Sequence, residues 1–125
     1  MGDGPTIFVV DDDEVVRDSL RVLLESRHFD VLDFGSGAAF LAHRAEAPAT
    51  PGCLLLDVHM PEMSGIDLLR RLRSKGDDVA AILVTGRRDA ATQAQAEALG
   101  AVALLDKPLS HPALFGAIDR GLKRL

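Results

Sequence analysis

Short apolar runs alternate with longer amphipathic stretches five times along the chain. Thr6–Val10, Phe29–Asp33, Cys53–Asp57, Ala80–Thr85 and Val102–Leu105 are rich in Val, Leu and Ile. Such short, nearly continuous apolar runs are the pattern of parallel strands covered on both faces. The segments between them carry helical spacing. Over Glu14–Arg27, Val16, Leu20, Leu23 and Leu24 mark one face, and Asp13 stands where a cap is needed. Ser36 caps a second helix reaching Arg44, with Phe40 and Leu41 on its apolar side. A third runs over Gly65–Ser74, with Ser64 and Asp67 at capping-box spacing and Gly76 beyond its end. Alanine-rich Asp89–Leu99 is a fourth, closed by Gly100. The last starts at Ser110, has Pro112 in its first turn and buries Leu114, Ile118 and Leu122. Ala42–Gly52 reads as the longest irregular connection.

Strands alternating with helices imply right-handed crossovers onto one parallel sheet. The expected fold is α/β, a doubly wound, flavodoxin-like sheet of five strands in order 2-1-3-4-5 with five helices. A length of 125 residues fits one domain spanning 1–125, without repeats or internal linkers. With 47% hydrophobic residues but no Trp or Tyr and five Phe, the core must be aliphatic. A net charge of -5 argues against a nucleic-acid-binding surface on this chain. Cys53 is the single cysteine, so no intramolecular disulfide can form, and its apolar surroundings suit a small core residue. No apolar stretch approaches the roughly 20 residues of a membrane span. MGDGPT at the N-terminus lacks a signal-peptide pattern. The expected location is cytoplasmic, away from the membrane.

In a sheet of this kind, ligands bind beyond the carboxyl ends of the strands. Those ends carry chemistry here: Asp11-Asp12-Asp13-Glu14 after the first strand, Asp57 ending the third, Thr85-Gly86 at the fourth, and Asp106-Lys107-Pro108 at the fifth. Each residue has an ordinary explanation, as a cap, a turn residue or a solvated cation. Together they form a set suited to phosphoryl transfer. Carboxylates converging in a cleft repel unless a cation joins them, and Mg2+ is the hard ion such oxygens hold. Lys107 supplies a positive point charge, Thr85 a hydroxyl donor and an aspartate a nucleophile that would form an acyl phosphate.

The segments VVDDDEVVRDSL, LLLDVHMPEMSG, ILVTG and LLDKPL resemble those of bacterial response-regulator receiver domains, over about Thr6 to Leu122. PGCLLLDVHMPEMSG and ILVTG look closest to receivers of nitrogen-fixation-type regulators, which usually carry a C-terminal helix-turn-helix output domain. The resemblance implies that Asp57 accepts a phosphoryl group from a sensor histidine kinase. It implies Mg2+ held by Asp12, by Asp11 directly or through water, by Asp57 and by the His59 carbonyl. Thr85 and Lys107 would contact the phosphoryl oxygens, the Lys107–Pro108 bond would be cis, and Gly86 would allow close approach. The fourth helix, fifth strand and last helix would form the readout face, with a possible homodimer on phosphorylation and transcription regulation as the outcome. Such a domain is a switch with slow self-hydrolysis, not an enzyme. Two features depart from the pattern. Leu104 stands where the family usually has Phe or Tyr, and TGRRD places Arg87 and Arg88 at the mouth of the site.

Three other readings compete. Asp11-Asp12-Asp13-Glu14-Val15 also satisfies the Asp-x-Asp-x-Val motif of haloacid-dehalogenase-type phosphatases, with Asp11 as nucleophile and Asp13 as acid/base. Those enzymes are longer, normally carry a cap and leave LLLDVHMPEMSG unexplained. A receiver-like interaction module that is never phosphorylated is a second, suggested by Leu104. Gly35-Ser-Gly37 echoes a dinucleotide fingerprint, but Phe40 stands at the third glycine. His28, His43, His59 and His111 lack metal-ligand spacing.

Overall fold

The computed structural model describes residues 5–48 and 50–123. Ten elements alternate strictly: β1 (Thr6–Val10), α1 (Glu14–Glu25), β2 (Asp30–Phe34), α2 (Gly37–Glu46), β3 (Gly52–Asp57), α3 (Gly65–Ser74), β4 (Ala80–Thr85), α4 (Ala90–Ala98), β5 (Ala103–Asp106) and α5 (His111–Leu122). The five strands pair in parallel in the order β2-β1-β3-β4-β5, as the alternation predicts. Because β1 pairs with both β2 and β3, the chain reverses its winding direction there, and the strand ends open a crevice at that point.

Period-two alternation divides the core into two layers. Phe8, Val10, Leu54, Leu56, Ala81 and Leu83 point to one side, where Phe40 of α2 and Leu68, Leu69 and Leu72 of α3 cover them. Ile7, Val9, Cys53, Leu55, Ile82 and Val84 point to the other, covered by Leu20 and Leu24 of α1 and Leu114 and Ile118 of α5. Cys53 is fully buried, in keeping with a core role. Among the described residues, no helix is long and apolar enough to cross a membrane.

Most differences from the sequence reading are at element ends. β2 lies one residue later than Phe29–Asp33, β3 begins at Gly52, and β5 runs to Asp106 instead of Leu105. α1 stops at Glu25, after which His28 takes a positive φ of 69°. The larger correction concerns Ala42–Gly52. α2 continues to Glu46, so the irregular connection starts only at Ala47. The cause lies far away in sequence: Arg44 Nε and Nη2 donate to Asp77 at 2.7 and 3.1 Å, and Nη1 donates to the Thr50 carbonyl at 2.9 Å. That clasp holds the last turn of α2 against the α3–β4 connection. Arg124 and Leu125 lie outside the described residues.

Candidate functional site

Strand geometry brings Asp11, Asp12 and Asp57 together. Asp57 is the last residue of β3 and only 5% exposed, because the strand is buried along its whole length. Asp11 follows β1, its N–H bonding the Phe34 carbonyl at 3.1 Å as if the ladder to β2 continued one step. Its carboxylate then turns down to accept the Asp13 N–H at 2.9 Å, while Asp13 caps α1 by accepting from Val15 and Val16. The ordinary capping roles are therefore real, and they aim the remaining carboxylate oxygens into the crevice. One oxygen from each of Asp11, Asp12 and Asp57 lies within 4.8 Å of the others.

From the far side, Lys107 Nζ reaches Asp57 Oδ1 at 3.2 Å, and the His59 N–H donates to the same oxygen at 3.3 Å. The Lys107–Pro108 peptide is cis, and the Lys107 N–H bonds the Thr85 carbonyl at 2.9 Å. Thr85 is fully buried at the end of β4. Its hydroxyl donates to the Arg87 carbonyl at 2.9 Å and accepts the Arg87 N–H at 3.1 Å. The His59 ring Nε2 lies 3.2 Å from the same hydroxyl oxygen. A Cβ on Gly86 would meet nothing within 4 Å, leaving that approach open.

The electrostatics favour a cation. Burial pushes the Asp11 carboxyl above the ordinary carboxylate value. The neighbouring Asp57 and Asp12 charges add to the rise, while the Asp13 N–H and Lys107 oppose it. A group so placed gains most from a divalent ion, which relieves repulsion as well as lost hydration. The donor set is all oxygen, as Mg2+ requires. The residues therefore fit that ion. A hollow of about 290 Å³ adjoins the acids, walled by Val16, Leu20 and Pro108 and reaching Asp57 and Lys107. A larger one, about 800 Å³, lies at the other end of the sheet around Arg44 and Pro51. Buried Arg44 and half-buried Asp77 there already satisfy each other, so the smaller hollow is where the chemistry converges.

Three contacts escape any reading of spacing alone. The His59 ring on Thr85 joins residues 26 apart. Arg17 Nη1 donates to the Asp11 carbonyl at 2.7 Å. Arg88 spans the Asp106 carboxylate, the Leu104 carbonyl and Gln93, tying the β4–α4 connection to β5 and α4. Leu104 itself is 8% exposed and packs into the core with Leu83 and Ala96.

The profile described as the response regulator receiver domain matches residues 7–119. The transcriptional regulatory protein FixJ of Azorhizobium caulinodans is 41% identical over 118 residues, which are 94% of this chain and 55% of that protein. The response regulator protein TmoT of Ectopseudomonas mendocina is 38% identical over 117 residues, or 94% of this chain and 52% of that one. The crystal structure of FixJ-N superposes with a TM-score of 0.88 at 36% identity, covering 98% of this chain and 96% of that chain. The chain thus spans about half the length of the curated relatives it matches. The phosphatase reading, built on Asp11-Asp12-Asp13-Glu14-Val15 with a later Thr and Lys, has no counterpart among these relatives.

Proposed function

The chain belongs to the response regulator receiver domain family, and we propose that its Asp57 accepts a phosphoryl group and thereby switches the surface formed by α4, β5 and α5. Domains of this family are phospho-acceptor switches that generally bind Mg2+ at an acidic pocket. The observation carrying the proposal is the buried Asp57 carboxylate, held by the Lys107 ammonium and flanked by two further aspartates. Asp11, Asp12, Asp57 and the His59 carbonyl are the groups proposed to hold Mg2+. When bound, the ion supplies positive charge that neutralises incoming phosphate.

In the proposed reaction, a carboxylate oxygen of Asp57 attacks the phosphorus of a phosphohistidine or a small acyl phosphate. The new P–O bond forms as the bond to the donor breaks, and the donor leaves with its electron pair. Lys107 stays within reach of the charge that develops, and Thr85 offers its hydroxyl once it releases the Arg87 carbonyl. That release moves the 85–88 segment and biases an equilibrium between two arrangements of the α4–β5–α5 face.

A sensor histidine kinase is the proposed donor. Val15, 74% exposed on α1, lines the hollow that opens on Asp57, and Val22, 68% exposed on the same helix, lines a second hollow with Leu109 and Leu114, which supports docking of a protein. The chain spans about half the length of relatives named as transcriptional regulatory proteins, which supports a longer protein that regulates transcription; an output domain, a cytoplasmic location and pairing through the switched face belong to the same proposal. The test is incubation with acetyl phosphate and Mg2+, followed by mass spectrometry. Wild type should gain one phosphoryl group mapped to Asp57, and Asp57→Asn should gain none. A label on Asp11, or an unlabelled wild type, would overturn the reading.

A further inference from the structure

We propose that Arg17 is a positioning residue for the acidic pocket, holding the Asp11–Asp12 peptide so that both carboxylates converge on Asp57; this deepens the reading above and rests on it. The carbonyl of Asp11 belongs to a residue only 4% exposed, where an unpaired acceptor is costly. Arg17 Nη1 donates to it at 2.7 Å. The guanidinium is not placed by its own flexible stem. Its Nε donates to Asp33 Oδ2 at 3.0 Å, and Asp33 is itself held by Arg21, one turn further along α1. Two donors of one rigid plane thus connect the end of β2 to the backbone of the acid-bearing loop.

A second observation fits this placement. A Cβ on Gly35 would stand 3.2 Å from Arg17 Nη1, tighter than ordinary contact, and 3.5 Å from Cζ. The residue after β2 therefore leaves room for the guanidinium where it meets Asp11. Asp33 and Glu25 together match the charges of Arg17 and Arg21, so the effect of Arg17 on the pocket is orientation and not added positive field. Without the Nη1 bond, the 11–12 peptide can rotate. Asp12, already exposed, would then turn to water and leave two carboxylates where three now meet.

The experiment is Mn2+ binding followed by electron paramagnetic resonance, on full-length chains at a temperature where every variant is folded. Groups that orient metal ligands typically alter affinity by about 10- to 100-fold, so Arg17→Met should weaken Mn2+ binding by about tenfold or more. Arg17→Lys keeps the charge but has a single nitrogen for Asp33 and Asp11, and should fall between. Arg21→Met breaks a contact to the same Asp33 and should leave affinity unchanged. In the metal-free protein, amide exchange at Asp12 and Asp13 should quicken in Arg17→Met but not in Arg21→Met. Wild-type affinity in Arg17→Met, or equal losses in Arg17→Met and Arg21→Met, overturns the proposal. Should Arg17→Met fail to fold, Arg17→Lys decides it alone. If wild type itself binds no Mn2+, the fault lies with the acidic pocket as a metal site, and this inference falls with it.

Discussion

Gly65 is the first residue of α3, and replacing it with alanine probes how the acceptor strand is supported. A Cβ there would lie 2.4 Å from the Asp57 carbonyl oxygen and 3.0 Å from both the Asp57 carbonyl carbon and the Val58 Cα, where ordinary contact begins at 3.4 Å. All three obstacles are backbone, so no side chain can swing aside. Either α3 recoils by about 1 Å or the end of β3 does. Recoil of the helix strains the Gly65 N–H bond to the Val58 carbonyl (2.9 Å) and the capping box between Ser64 and Asp67. Overpacking costs about 1–3 kcal/mol and a damaged cap about 1 more, giving roughly 2–4 kcal/mol in all. For a domain of this size that corresponds to a fall in Tm of roughly 8–15 °C. If the strand end moves instead, Asp57 moves with it, and a shift approaching 1 Å slows phosphorylation by up to about 100-fold. With no Trp or Tyr, unfolding is best followed by far-UV circular dichroism, and phosphorylation by acetyl phosphate well below the lowered Tm. Wild-type Tm together with wild-type phosphorylation in Gly65→Ala would refute the argument, since the clash must be absorbed somewhere.

Gly116→Ala is the counterpart: inside α5, its Cβ would meet only Arg120 Nη1 at 3.9 Å, so a gain of about 0.5–1 kcal/mol is expected in urea unfolding, and a loss would contradict it. Burial alone would raise the Asp77 carboxyl, but the Arg44 hydrogen bonds and the Val79 N–H outweigh it and hold the group below its ordinary value. A depressed folded value means the stabilisation is complete above the ordinary aspartate pKa of about 3.9 and is lost as pH falls through the folded value. Asp77→Asn leaves Arg44 without its counter-charge, so it should cost about 2–4 kcal/mol at pH 7 and flatten the acid side of the stability profile; an unchanged acid side would count against the pair. Arg87→Ala removes a cation whose backbone holds the Thr85 hydroxyl and should change the life of the Asp57 phosphate severalfold; unchanged dephosphorylation rates would remove Arg87 from the account. Arg88→Met removes a surface pair with exposed Asp106 together with the bonds to the Leu104 carbonyl and Gln93, and should cost only about 1 kcal/mol. It should nevertheless blunt the change in amide exchange over residues 103–106 that beryllofluoride induces, and an undiminished response would show that Arg88 does not link Thr85 to β5.

Periodicity, caps and strand-end residues are local properties, and they were enough to read five strands, five helices and the sheet order. Buried parallel strands leave unbroken apolar runs, and a crossover can close in only one hand. The candidate acids, Thr85 and Lys107 stood out for the same reason, since each ends a recognisable strand. What no spacing could show is which side chains meet across the crossovers. Arg44 finds Asp77 only because α2 and the α3–β4 connection end at the same edge of the sheet, and that pair decides where α2 stops. Arg17 is held on the Asp11 carbonyl by Asp33 of β2, and the His59 ring meets Thr85 because β3 and β4 end side by side. Gly65 and Gly116 are alike as letters in a helix, yet a Cβ on one would press on the acceptor backbone and a Cβ on the other would make only an ordinary contact. Contacts of this kind depend on tertiary distances of a few tenths of an ångström, which the order of residues along a chain does not contain.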